Sequence, residues 1–210
     1  MKTSSLTIVP NRFAKRRERT RQELLAAATR VLAEKGLHDT KVADIAAAAD
    51  VGVGTFYLYF PTKDALFDAV VEETVRRLKE TVDRARTAAR DPVERVRAAN
   101  AALCRFAHEN REVFRIVFGH AAAFNDVVRR AQELFTADAE ETIREGIASG
   151  AFRPVPVEVA AQAMVGMATQ ILSWWTQQET IPLETIHETV TNLALRGLLP
   201  APAVKGARHG

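Results

Sequence analysis

Between Val53 and Lys63 the chain carries residue types suited to reading a nucleic acid. Val53, Gly54, Thr55, Tyr57 and Leu58 come first, and Lys63 follows. Small and apolar groups can enter a major groove and meet base edges or a thymine methyl. A tyrosine hydroxyl and a lysine ammonium suit phosphate oxygens. Phe56 and Phe60, four residues apart, are left to anchor the segment to its neighbours. Catalysis has no comparable set. His38, His108, His120, His187 and His209 are scattered, no Ser or Cys has a nucleophile context, and no Gly-rich phosphate loop is present. No enzyme, catalytic residue or cofactor is therefore expected. His108, Glu112 and His120 could be imagined around a metal ion, but their spacing crosses two helix boundaries. They read better as surface or core polar groups, and no metal site is expected. The single cysteine, Cys104, excludes an intramolecular disulfide and reads as a small buried hydrophobe.

The elements that must hold Val53 to Lys63 are all helices. Helix-period patterning runs almost throughout, and no strand-like alternation of useful length occurs. Leu24, Ala28, Val31 and Leu32 share one face of a first helix that ends near Gly36. Val42, Ile45, Ala46 and Ala49 mark a short second helix. Asp50-Val51-Gly52 turns into a third from Val53 to Phe60, which Pro61 stops. Two short helices joined by a tight turn after a longer one form the helix-turn-helix layout. Thr62 is the expected cap of a fourth helix running to Arg90. Asp91-Pro92-Val93-Glu94 opens a fifth to about Asn110, and a sixth spans Arg111 to Phe118. A seventh covers Ala122 to Ser149, an eighth starts near Pro156, and a ninth runs from Pro182 to Arg196-Gly197. The expected domains are residues 12–62, which bind DNA, and 63–200, joined by the helix over 62–90. Residues 1–11 and 201–210 are expected to be flexible tails.

The run from Thr40 to Ala46, and then Ala49-Asp50-Val51-Gly52-Val53-Gly54-Thr55-Phe56-Tyr57-Leu58-Tyr59-Phe60-Pro61-Thr62-Lys63-Asp64-Ala65-Leu66, resembles the DNA-binding domain of the tetracycline-repressor (TetR) family. The likeness is near-continuous from about Thr20 to Val71 and specific from Thr55 to Leu66. Beyond that, only helix count and lengths and the closing Leu195-Arg196-Gly197-Leu198 match. The resemblance implies an all-α homodimeric regulator, usually a repressor released by a small ligand. It implies a phosphate contact from Thr40 or Lys41, DNA contacts from Thr55, Tyr57 and Lys63, and base-facing positions at Val53, Gly54 and Leu58. Three residues depart from the family pattern. Asp50 stands where Gly is frequent in the turn, and Asp tolerates a left-handed backbone. Gly52 replaces a capping Ser or Thr and removes one hydroxyl that could meet a phosphate. Lys41 replaces a second Ser or Thr and adds a charge.

Charge agrees with this division of labour. Residues 1–63 hold eleven Lys/Arg against six Asp/Glu, and residues 64–210 hold eighteen against twenty. A basic first third suits a polyanion. Arg12, Lys15, Arg16, Arg17, Arg19 and Arg21 read as an arm reaching double-stranded DNA or as a solvated leader. Asp138, Glu140, Glu141 and Glu145 read as a solvated face.

The twenty uncharged residues between Glu158 and Glu179 have the length of a membrane span, but Gln, Thr and Ser interrupt them. A helix buried on most sides by protein is the better reading, and no membrane partner is expected. The lone cysteine and the absence of a signal-peptide pattern before Arg17 fit a cytoplasmic protein. The aromatic residues of the later helices are core by default, yet room remains for a pocket taking a small apolar or amphipathic effector. Its candidate lining is Phe106, Phe114, Met164, Met167, Ile171 and Trp175. A homodimer interface is expected on the eighth and ninth helices at Ala163, Gly166, Ile186, Val190 and Leu193. The palindromic operator expected of a dimer follows from its symmetry. The competing functions are a helical small-molecule binder without DNA binding and a regulator without an effector.

Overall fold

The computed structural model describes residues 12–119, 125–178 and 180–200. The tails expected at 1–11 and 201–210, the start of the seventh helix at Ala122 and the imagined ligand His120 lie outside these residues. Among the described residues the structure is all helical: α1 (Arg12–Asp39), α2 (Val42–Ala48), α3 (Val53–Tyr59), α4 (Lys63–Ala88), α5 (Pro92–Glu109), α6 (Arg111–Gly119), α7 (Asn125–Ala148), α8 (Val157–Trp175) and α9 (Leu183–Leu198).

The chain forms two compact units, Met1–Val71 and Glu72–Gly210. In the first, Leu24, Leu25, Ala27, Ala28, Val31 and Leu32 give α1 a buried stripe at helical spacing. The stripe starts only at Leu24; residues 12–19 before it are exposed, and Thr20 and Arg21 are half-buried. At Gly36 the backbone leaves the helix at φ 77° and ψ 174°, a conformation that suits glycine because it has no Cβ. α2 and α3 are too short to persist alone and depend on docking. Ile45 and Ala46 bury one side of α2, and Phe56 and Phe60 anchor α3. The first turns of α4 belong to this unit through buried Leu66, Phe67 and Val70.

In the second unit α5 begins as its sequence dictates. Asp91 Oδ1 accepts from the N–H groups of Val93 and Glu94, both at 2.9 Å, and Pro92 occupies the first helical position. One core gathers Leu78, Phe106, Phe114, Leu172, Trp175, Ile186 and Val190. A second gathers Val96, Ile143, Phe152, Ala161, Leu195 and Leu198. Phe152 folds back onto Gly146 of α7, where a Cβ would sit 2.0 Å from its ring. α9 does not stop at Gly197 but at Leu198. Pro200 pushes Leu199 into an extended conformation, and that ends the helix.

α8 corrects the expectation of burial on most sides. Only Ala161, Ala168, Leu172 and Trp175 are buried, whereas Val159, Gln162, Ala163, Gly166, Gln170 and Trp174 are exposed along the other side. No single described helix is long and apolar enough to cross a membrane.

Candidate nucleic-acid interface and helical cavity

The turn that presents α3 is built from backbone hydrogen bonds. Asp50 takes the left-handed conformation at φ 54°, and the Val51 N–H returns to the Ala46 carbonyl at 3.0 Å. Gly52 then caps α3 through its carbonyl, which accepts from Thr55 and Phe56, and no side-chain cap is present. The Arg30 guanidinium donates to the Ala48 carbonyl at 3.1 Å and ties the end of α2 to α1. At the start of α2, Asp44 accepts from the Lys41 N–H at 3.2 Å and meets Lys35 Nζ at 3.0 Å. The hydrogen bond from Lys35, followed by that from Lys41, holds the Asp44 carboxyl below the usual carboxylate range.

This frame leaves one side of α3 outward. Phe56 is completely buried, and its ring meets Tyr57 edge-on at 5.3 Å. Leu58 is 76% exposed, Val53, Gly54 and Tyr57 are exposed, and Thr55 is half-buried. Val53, Tyr57 and Leu58 thus leave an apolar surface open on one side of this short helix.

Thr40 departs from the resemblance. It is 1% exposed, and its hydroxyl donates to the Gly36 carbonyl at 2.6 Å, so it closes the end of α1 rather than facing outward. Lys41 beside it is exposed. Lys63 is half-buried. Its ammonium donates to the carbonyls of Thr40 at 3.1 Å and Leu37 at 3.4 Å and stands 5.2 Å from the Phe67 ring centre. An ammonium has three protons, so one remains for an outside acceptor. Arg12, Lys15, Arg16, Arg17 and Arg19 are exposed on the first turns of α1, where Arg19 pairs with Glu23 at 2.8 Å. Arg21 lies over the Phe60 ring at 5.6 Å.

The second unit contains a cavity of about 100 Å³ among α4, α5, α7 and α8. Leu78 and Val82 of α4, Ala99 and Leu103 of α5, Phe135 and Ala139 of α7, and Met164 and Ala168 of α8 are among its walls, with Arg86, Arg95 and Asp138 at polar positions. Of the six expected lining residues only Met164 is there. Phe106, Phe114 and Trp175 are buried in the packed core, with Ile171 and Met167 against it. Large side chains fill space, and the cavity opens where Ala99, Ala131, Ala139 and Ala168 leave it. Trp175 is held as a structural post. Its indole N–H donates to the Ile181 carbonyl at 2.9 Å, and the Arg111 guanidinium stacks 4.5 Å from its ring centre.

Sequence reasoning missed Arg86, Arg95 and Asp138. Asp138 is not part of a solvated face. It lies 2.9 Å from Lys79 Nζ and 3.3 Å from Arg86, at the cavity wall. Acidic residues at helical spacing looked solvated because their cationic partners Lys79 and Arg86 sit far away in sequence. Cys104 is buried, and burial pushes its thiol up to about 11.

The expected interface residues divide. Ala163 and Gly166 are exposed, and Leu193 is 54% exposed. Ala163 and Leu193 line one surface groove of about 340 Å³ with Val159, Met164, Met167 and Gly197. Ile186 and Val190 are not available for an interface. Both are buried in their own chain's core, because the inner stripe of α9 packs against α5. No group of three or more His, Cys, Asp or Glu among the described residues is placed to hold a metal ion.

Known proteins share this fold. The family described as bacterial regulatory proteins, tetR family, matches residues 24–70, and the tetracyclin repressor-like C-terminal domain matches residues 89–198. The chain is 26% identical over 187 residues to the HTH-type transcriptional regulator YhgD of Bacillus subtilis (strain 168), covering 87% of this chain and 94% of that one. The fatty acid degradation regulator FadR of Bacillus halodurans has the same fold at a TM-score of 0.71 and 24% identity, covering 84% of this chain and 94% of that one. RolR, solved with the ligand resorcinol, aligns at a TM-score of 0.63 and 24% identity, covering 88% and 90%. A buried Phe56 anchor behind an exposed α3 face, in a chain whose two units both match family domains, leads to one conclusion: the protein belongs to the tetR family and is a transcriptional regulator with an N-terminal helix-turn-helix DNA-binding domain.

Proposed function

We propose that the chain acts in the cytoplasm as a homodimeric repressor that a small apolar or amphipathic ligand releases from a palindromic operator. The observation that carries the DNA half of this reading is the exposed face of α3 backed by the buried Phe56. Val53, Gly54, Thr55 and Leu58 face bases, and the Tyr57 hydroxyl, Lys41 and Lys63 take phosphates. Thr40 serves the fold of the domain instead. A single reading head is a small interface, and two related by symmetry give the affinity a specific regulator needs. The exposed uncharged face of α8, with Ala163, Gly166 and the groove at Leu193, supports pairing with a second copy.

The cavity among α4, α5, α7 and α8 is the effector site in this reading. Its mostly apolar walls support it, as does the resorcinol bound by RolR. α4 starts at Lys63 and lines the cavity at Leu78, Val82 and Arg86, which makes it the natural element for the ligand to bias. The ligand must bind the DNA-incompetent arrangement better than the competent one. The test is a gel shift with duplexes from the protein's own promoter region, with and without added ligand. Retardation relieved by ligand supports the reading. Ligand binding without any retardation supports a helical binder that does not regulate.

A further inference from the structure

The cavity is long for its volume. Along α4 it is lined at Val75, Leu78, Val82 and Arg86, one residue in each successive turn, and along α7 from Ala131 to Thr142. Each stretch covers about 16 Å of helix axis at about 1.5 Å per residue. α5 adds a third wall from Arg95 to Leu103, about 12 Å long. Ion pairs show which ends coincide. Arg86 of α4 meets Asp138 and Glu141 of α7, and Arg95 of α5 meets Glu145 of α7. Val75, Leu103 and Ala131 lie about two to three turns away along their helices and form the opposite end, together with Gln132.

A volume of about 100 Å³ spread over about 16 Å leaves a cross-section of only about 6 Å², so the space is a narrow slot rather than a round pocket. The volume is also below the roughly 150 Å³ at which an apolar protein cavity takes up benzene, and a ring has to push the walls apart. An extended hydrocarbon chain advances about 1.3 Å per carbon–carbon bond, so about ten carbons lie end to end in the slot without that cost. Between the two ends the polar lining residues have partners of their own. Asn100 donates to Thr191 at 3.4 Å, and Thr169 donates to the Val165 carbonyl at 2.8 Å. Leu78, Val82 and Ala99 offer methyl and methylene surface there, which matches a plain chain.

We propose that the cavity selects an extended, unbranched hydrocarbon chain of about ten carbons over a ring, the chain lying along α4 and α7 with one end at Ala131. The proposal rests on the reading of the cavity as the effector site. It is tested by calorimetric titration of the full-length protein with 1-hexanol, 1-octanol, 1-decanol and 2-cyclohexylethanol. Affinity rises about fourfold per methylene from 1-hexanol through 1-decanol, because each added carbon is still enclosed. 2-Cyclohexylethanol has the eight carbons of 1-octanol and binds about tenfold or more weaker, after allowance for each probe's own partition from water into alkane. Ala131→Leu plugs one end of the slot. It costs 1-decanol about tenfold or more and leaves 1-hexanol within about threefold, whereas in a round pocket both fall alike. An affinity that levels off before 1-decanol, a ring bound as tightly as 1-octanol, or equal losses in folded Ala131→Leu overturns the proposal while leaving the effector site in place. The unmodified series decides the matter even if Ala131→Leu fails to fold. Ala99→Leu narrows the middle of the slot and costs 1-decanol about tenfold or more. If 1-decanol binds this variant undiminished, or if no probe binds the unmodified protein, the effector-site reading fails and the proposal with it.

Discussion

α3 and α8 both expose apolar side chains, yet the residues around them differ. α3 shows Val53, Tyr57 and Leu58, in a unit that also carries Lys41, Lys63 and the exposed cations of α1. α8 shows Val159 and Trp174 among Gln162, Ala163, Gly166 and Gln170, without a charge between Glu158 and its end. An apolar face amid cations suits a polyanion whose grooves contain methyl groups. An apolar face amid uncharged small residues suits another helix at close approach. The exposed apolar residue is thus the same observation in both places, and under the proposed function the charge around it is what separates a DNA face from a pairing face.

The largest effect expected from breaking this distinction is at the uncharged face. Leu193→Glu places a charge in the groove shared with Ala163, and burying it unpaired costs about 3 kcal/mol or more, some 100-fold in dimer dissociation. Light scattering is expected to find monomers, and footprinting is expected to lose specific protection in the same samples. A folded, dimeric variant would move the interface off this groove.

Packing within the second unit's core is the next most sensitive. Gly146→Ala drives a methyl into the Phe152 ring and is expected to destabilise by about 1–3 kcal/mol in urea unfolding. Gly54→Ala in α3, where nothing lies within 4 Å of the added Cβ, leaves the unfolding free energy equal to that of the parent or raises it by up to about 1 kcal/mol.

Smaller effects are expected at the DNA face, where contacts are added one at a time. Tyr57→Phe keeps the ring on Phe56 and weakens binding to every sequence by about 0.5–1.5 kcal/mol, as measured by gel shift at fixed salt. Thr55→Ala changes which bases are preferred. Joint replacement of Lys15, Arg16 and Arg17 by Gln flattens the slope of log affinity against log salt by about 0.9 for each phosphate contact removed. An unchanged slope identifies the basic turns of α1 as a solvated leader. The smallest effect is at Asp44. Its carboxyl is held low in the folded state, so its contribution is complete above the ordinary carboxylate value and fades as pH falls through the lowered one. Melting curves of the parent and Asp44→Asn are expected to differ at neutral pH, to start approaching one another only below about pH 4, and to converge once the pH has fallen below the lowered value.

The two units also differ in how far their sequences could be read. In the first, the signals are local. Phe56 and Phe60 four apart, Asp50 in the turn, and Gly36 at the break in α1 each act on residues within a turn or two. In the second, Asp91-Pro92 was legible for the same reason, but the cavity was not. Aromatic residues drew attention to Phe106, Phe114 and Trp175, whereas cavities form where side chains are small. Asp138 pairs with Lys79 and Arg86 across a long stretch of chain, and no helical spacing reports that. The apolar stripe of α9 was visible as a stripe, but nothing local said whether Ile186 and Val190 face their own core or a second copy. For Thr40 the sequence does not say that its hydroxyl is buried and donates to the Gly36 carbonyl, which leaves Lys41 as the exposed one of the pair.

Selection of duplexes from a random pool by the full-length protein, followed by sequencing of those bound, tests the central claim most directly. The account predicts two inverted half-sites whose centres lie roughly one helical turn, about 34–36 Å, or a multiple of it apart, with Thr55→Ala altering the same positions in both halves. A single unsymmetrical motif, or enrichment that Thr55→Ala and Leu193→Glu both leave unchanged, would contradict it.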